Sequence, residues 1–247
     1  MPPPPPLPLL SLSLLLVFLL GTYESYLQYG PLISLLETLW VCSLSILSAS
    51  LSTYFLNPDL LAVTVINTFT GHSLWCLDTV SLLINKLLYN SNEGFLNMAD
   101  YGGLNGITLW SFLAVSHHLW FIPTTIYTLR THFHFHLKFK HWLYSYAFVS
   151  ILSLITLWIT PVECIKYGKS CISVNINMCE GWWGLDEVDF LHYFDRERCG
   201  NWGWNGNGMC GAGRWVFSNA VYSMCNLVGY RVLKSMINNS NEKKKTK

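Results

Sequence analysis

Six of the chain's eight histidines fall within residues 116–141, SHHLWFIPTTIYTLRTHFHFHLKFKH. The first third of this stretch lies in an apolar run and the last third is basic, as at a membrane boundary. Ionisable groups at membrane depth are costly and by default mark function, so His117 and His118 are candidates for chemistry. An imidazole beside a hydroxyl gives the activated nucleophile of Ser–His and related hydrolases. Thr38 or Ser34 with His118 supplies that pair if their two helices touch.

Two other chemistries compete. Histidines on different helices can ligate haem iron, and His72 with His117 or His118 would serve. A di-iron centre like that of membrane desaturases ranks last, because the repeated HxxHH boxes are absent. His132, His134, His136 and His141 alternate with Phe133, Phe135, Leu137 and Phe139, a strand-like period. Beside Arg130, Lys138 and Lys140 they read as a basic aromatic belt at the headgroup level, able to attract anionic lipid.

Helical period places the polar groups in stripes. In residues 104–129, Thr108, Ser111, His118 and Thr125 share one face. His117 lies about 100° away among Trp110, Leu113 and Phe121, which makes His118 the better candidate for a polar interior. Residues 32–56 carry Ser34, Thr38, Ser45 and Ser52 on one face, and residues 60–88 carry Asn67, Asp78 and Asn85. Helix–helix packing explains hydroxyl stripes equally well in membranes. A buried Asp78 needs a reason, and support of the His118 site is one.

The elements that must position these groups follow from composition. Hydrophobic residues make up 51% of the chain and charged residues only 12%, about half the charge of a soluble domain. This composition indicates a single-domain multi-pass membrane protein, and the net charge of +1 gives no footing for nucleic acid. Pro2 to Pro6 is a polyproline start. The apolar residues 7–20 that follow form a signal peptide or an uncleaved signal anchor, within a first unit of residues 1–22. Residues 32–56, 60–88, 104–129 and 141–160 are each long enough to cross, giving a four-helix region over 23–160. Asn57-Pro58-Asp59 is the turn of a helical hairpin. Residues 215–236 form the last span, and 237–247 a basic tail.

Basic residues orient the spans. Arg130, Lys138 and Lys140 put the loop around 130–141 in the cytosol, and Arg231, Lys234 and the lysines of 243–247 put the C-terminus there too. Residues 161–214 then lie outside as a Cys/Trp/Gly-rich loop, suited to the membrane interface and to a lumenal protein partner. Its Cys164, Cys171, Cys179, Cys199 and Cys210 would form two disulfides with one thiol left over in an oxidising lumen. No C-x-x-C pair occurs there, so no metal site is expected. Lys244-Lys245-Thr246-Lys247 resembles the dilysine signal that returns membrane proteins to the endoplasmic reticulum, and a positive-inside flank would look the same.

Residues 113–134, with His118, Pro123, Arg130, Thr131 and His134 as landmarks, resemble the corresponding region of the androgen-induced-protein family, which includes the androgen-dependent regulator of tissue factor pathway inhibitor. That resemblance implies six helices with both ends cytosolic, and hydrolysis of fatty-acid esters by an intramembrane threonine and histidine. His118 would take the histidine role, and Thr38, after Tyr29-Gly30, the threonine role with the spacing off by one. The family's second histidine is replaced here by Val115, and its short penultimate outer loop by the long Cys/Trp-rich one.

The expectation is therefore an all-α integral membrane protein of five or six transmembrane helices, in the endoplasmic reticulum or plasma membrane. Its leading function is a lipid-ester hydrolase with Thr38 as nucleophile, His118 as base and Asp78 as polar support, acting on membrane lipid without a resident cofactor. The alternatives are a non-catalytic assembly or trafficking component that binds a partner through residues 161–214, and a bis-histidine haem electron carrier through His72.

Overall fold

The computed structural model describes residues 7–91, 116–159, 165–167, 170–172 and 208–245. Among these the chain is helical apart from one short ladder. Seven helices follow in order: α1 (Leu7–Tyr29), α2 (Pro31–Glu37), α3 (Val41–Tyr54), α4 (Pro58–Tyr89), α5 (His117–Thr131), α6 (Phe139–Ile159) and α7 (Gly208–Lys245). Strands β1 (Ile165–Tyr167) and β2 (Ser170–Ile172) pair antiparallel, with Lys166 opposite Cys171.

Helix α4 is the hub, packed against α3, α5, α6 and α7. Its start is written locally: Asn57 caps it by accepting the Leu60 N–H at 3.1 Å, and Pro58 occupies a first-turn position where its missing N–H costs nothing. Leu56, at φ 56°, reverses the chain between α3 and α4. From Leu61 to Thr68 every residue of α4 is buried. Leu61, Val65 and Ile66 join Leu14 of α1, Ile46 of α3, Phe121 and Leu129 of α5, and Leu233 of α7 in one core. Where α7 comes close to α4, Gly229 keeps the path open, since a methyl there would stand 3.1 Å from the Phe69 ring.

Two helical segments are long and apolar enough to cross a membrane, Leu7–Leu27 and Pro58–Tyr89. Five or six separate long spans are not what the described residues contain. The segment 32–56 is broken: α2 ends at Glu37, Trp40 is extended, and the 14-residue α3 starts afresh at Val41. At about 1.5 Å per residue α3 is about 21 Å long, short of the roughly 30 Å hydrocarbon layer. The break separates Ser34 and Thr38 from Ser45 and Ser52, so the hydroxyl stripe expected there is not continuous.

Helix α1 runs past the expected apolar stretch to Tyr29 and is packed on α3. The Ser11 hydroxyl donates to the Ser50 carbonyl at 2.9 Å, and the Ser50 hydroxyl to the Ser11 carbonyl at 2.8 Å. Small residues that let two backbones approach this closely are the usual helix contact in membranes. On the other side of α4, the Asn67 side-chain oxygen accepts from the Ser145 hydroxyl of α6 at 2.5 Å and the Asn226 amide of α7 at 3.3 Å.

Residues 132–138 leave the helical path between α5 and α6. His134 stands at φ 46°, while Phe133 and Phe135 pack on the core. Asn238 of α7 holds this segment by bonding both backbone groups of Leu137, accepting its N–H at 2.9 Å and donating to its carbonyl at 3.3 Å.

Candidate functional site

Three imidazoles converge between α4 and α5. His72 projects from α4, and His117 and His118 occupy the first turn of α5. One ring nitrogen of each lies within 4.8 Å of the others. The ring centres are 4.5 Å apart for His72 and His118, 5.3 Å for His72 and His117, and 4.0 Å for His117 and His118. His72 is 2% exposed and His117 8%, while His118 is partly buried. Adjacent helical residues normally point about 100° apart. Here both rings lie close to His72.

Aromatic rings cover part of the cluster. Trp75 stacks on the His118 ring at 4.6 Å and 23°, and Phe121 meets His72 edge-on at 5.5 Å. Neither ring nitrogen of His72 has a hydrogen-bond partner. A buried polar atom left without a partner costs about 1–3 kcal/mol, so His72 in this state is destabilising on its own. His72, Trp75 and Cys76 share one face of α4 by their spacing, and the Cys76 thiol donates to the His118 carbonyl at 3.3 Å. That contact ties the first turn of α5 to α4.

An open cleft of about 410 Å³ passes this cluster, lined by His72, Ser73, Cys76 and His118 together with Leu77, Val80, Leu119, Ile122 and Pro123. Leu77, Val80 and Leu119 are exposed. The cleft thus has apolar walls open to the outside of the helices and two imidazoles, a hydroxyl and a thiol within.

The residues singled out in the sequence fall differently. His118 is at the cleft. Thr38 lies at the end of α2, where its hydroxyl donates to the Leu35 carbonyl at 2.6 Å, and it does not line the cleft. Its neighbours Ile33, Leu36 and Leu39 form a small cluster separate from the main core. Ser34 donates to the Thr22 carbonyl at 2.8 Å. Asp78 is buried at 1% exposure, six residues beyond His72 and so about 240° around the helix from it. That is the face on which Asn67 meets α6 and α7. Thr108 and Ser111 lie outside the described residues, as do Cys164, Cys179 and Cys199 and the side chains of Cys171 and Cys210. Among the cysteines whose side chains are described, Cys42, Cys76 and Cys225 are not joined in disulfides.

The sequence offered haem iron and, last, a di-iron centre for the histidines, and three imidazoles with ligand atoms this close are able to hold a metal ion. The signal was the pairing of His72 with His117 and His118 considered for haem. Two imidazoles on opposite sides of one haem iron would hold their ring centres about 6 Å apart, given metal–nitrogen bonds of about 2.0–2.1 Å. The observed rings are closer, with centres 4.0 to 5.3 Å apart. Comparison with known protein families, curated proteins and solved structures gives no match.

Proposed function

We propose that the chain is an integral membrane enzyme that cleaves a lipid ester at the imidazole-lined cleft between α4 and α5. The observation that carries this reading is the convergence of His72, His117 and His118 on a cleft whose walls are apolar and exposed. Depth along the helices supports it. Asp59, at the start of α4, is bonded to His141 and Lys140, and Asn238 of α7 is bonded to Leu137, so these groups share one end of the bundle. Arg130, Lys138, Lys140, Arg231 and Lys234 lie in sequence around that end, which supports reading it as the cytosolic one. His72 is thirteen residues from Asp59, and His118 twelve from Arg130, so both helices put the cluster about 18–20 Å from that end, within the hydrocarbon layer.

On this reading the chain crosses six times, with α1 packed on α3, the broken α2–α3 pair counting as one bent crossing, and the C-terminus cytosolic. An acyl chain enters sideways from lipid along Leu77, Leu119 and Ile122, bringing its ester to the imidazoles. Water adds to the acyl carbon and gives a proton to the site; the carbon–oxygen bond to the alcohol then breaks, and the departing oxygen takes a proton. The products are a fatty acid and an alcohol. Thr38 is not positioned to attack in this arrangement, so the attacking oxygen comes from within the cleft.

The test is hydrolysis of para-nitrophenyl dodecanoate and para-nitrophenyl acetate by the purified protein in lipid nanodiscs. The expected result is turnover of the long-chain ester in preference to the short one. Folded protein that releases nitrophenol from neither would contradict the reading.

A further inference from the structure

The cleft accounts for His118 but leaves unexplained why two more imidazoles are buried against it. We infer that His72, His117 and His118 form a three-histidine site for one divalent transition-metal ion of the zinc type, with its open coordination position facing the cleft. The inference deepens the hydrolase reading for its chemical consequence only, since the geometry for binding stands without it.

Three observations converge on the site. The ligand-capable nitrogens lie within 4.8 Å of one another on two different helices. Bound around one tetrahedral ion they would stand about 3.3 Å apart, and the ring centres about 5 Å apart. The observed ring centres, at 4.0 to 5.3 Å, already bracket that spacing. The three rings are therefore already held at about the spacing a bound ion requires. His72 is buried at 2% exposure with neither nitrogen hydrogen-bonded, and a metal–nitrogen bond is the partner this position lacks.

The donor set selects the ion class. Three neutral imidazoles suit zinc, copper, iron or nickel rather than calcium or magnesium, which take oxygen ligands. Three histidines with a vacant fourth position match a catalytic zinc site rather than a closed structural one. His72 and His118 both line the cleft, so the side of the site not occupied by imidazole opens there. A water bound at that position has its pKa lowered towards neutrality and supplies the attacking hydroxide without a side-chain nucleophile. This removes the need for a serine or threonine beside His118.

Occupancy tests the proposal without relying on activity. Full-length protein in nanodiscs, with any affinity tag removed, is stripped with a chelator, loaded with Zn2+, desalted and measured for metal and protein. The expected result is one zinc per chain. His72→Gln and His118→Gln should each weaken retention against a competing chelator by more than about ten-fold, and His136→Gln, at an exposed position before α6, should leave it unchanged. Should the variants fold poorly, wild-type protein loaded with Co2+ decides alone: visible bands of four- or five-coordinate cobalt are expected. Wild type that retains neither ion, or His72→Gln that retains zinc as well as wild type, would overturn the site. Zinc bound without ester hydrolysis would retain the metal site and remove the hydrolase; hydrolysis by metal-free protein would do the reverse.

Discussion

His141 joins two helix beginnings: its Nδ1 accepts the backbone N–H of Lys138 at 2.8 Å, and its Nε2 donates to Asp59 Oδ1 at 2.6 Å. The first bond caps the start of α6, and the second ties it to the first turn of α4. The imidazole is 1% exposed and packs on Phe135 at 5.0 Å. By contrast, Lys140 reaches the same carboxylate at 3.2 Å with both partners nearly half exposed.

These two contacts with Asp59 should differ in worth. His141→Ala removes a cap and leaves a cavity beside Phe135, and is expected to cost about 2–4 kcal/mol. Lys140→Ala breaks a solvent-screened pair worth under about 1 kcal/mol. Thermal unfolding in one detergent, followed by helical circular dichroism, should show a clear drop in Tm for the first and little for the second. Equal drops would mean that the link between α4 and α6 is not carried by the imidazole.

Asn67 makes the corresponding test in the bundle interior. Its oxygen accepts from Ser145 and Asn226, and its backbone carbonyl accepts from the Tyr222 hydroxyl at 2.6 Å. Interhelical hydrogen bonds in membranes average about 0.6 kcal/mol and reach about 1.7. Ser145→Ala should therefore cost about 1 kcal/mol or less. Asn67→Leu takes the shared acceptor from two buried donors and should cost more, measured by unfolding in mixed micelles. A smaller loss for Asn67→Leu would contradict the shared-acceptor geometry.

Whether α1 belongs to the folded bundle can be read by cross-linking. The Ser11 and Ser50 hydroxyl oxygens are 3.3 Å apart, a separation that side chains of a disulfide can span. The double variant Ser11→Cys/Ser50→Cys should cross-link on mild oxidation, with the linked peptides identified by mass spectrometry. Absence of that bond in inserted protein would detach α1 from α3.

Cleft shape predicts chain-length selectivity. Leu119→Trp narrows the space between α4 and α5 beside His118. The expected outcome is a fall of about ten-fold in kcat/KM for a twelve-carbon ester, equivalent to about 1.4 kcal/mol of lost transition-state binding, and little change for acetate. Equal falls for both esters would place the acyl chain elsewhere.

Helical class was legible in the sequence because composition and apolar runs are global signals. The reversal at Asn57-Pro58 was legible because cap and turn chemistry is local. The break at Thr38 to Trp40 was not, since residues 32–56 read as one crossing despite the single charge Glu37, which stands where α2 ends. His118 was singled out from a helical stripe with Thr108, Ser111 and Thr125, of which Thr108 and Ser111 lie outside the described residues. His117 was assigned to the apolar side by the same 100° rule, which describes one helix alone and does not know where α4 crosses. Thr38 and Asp78 show the same limit, because periodicity says which residues share a face but not which helix that face meets.

The account depends most on the imidazole cluster being the reactive centre. Its most direct test is kcat/KM for para-nitrophenyl dodecanoate by wild type and His118→Gln in matched nanodiscs, with helicity and insertion verified for both. Loss of the imidazole should lower the rate by about 100-fold or more. A His118→Gln protein that is folded and as active as wild type would contradict the account.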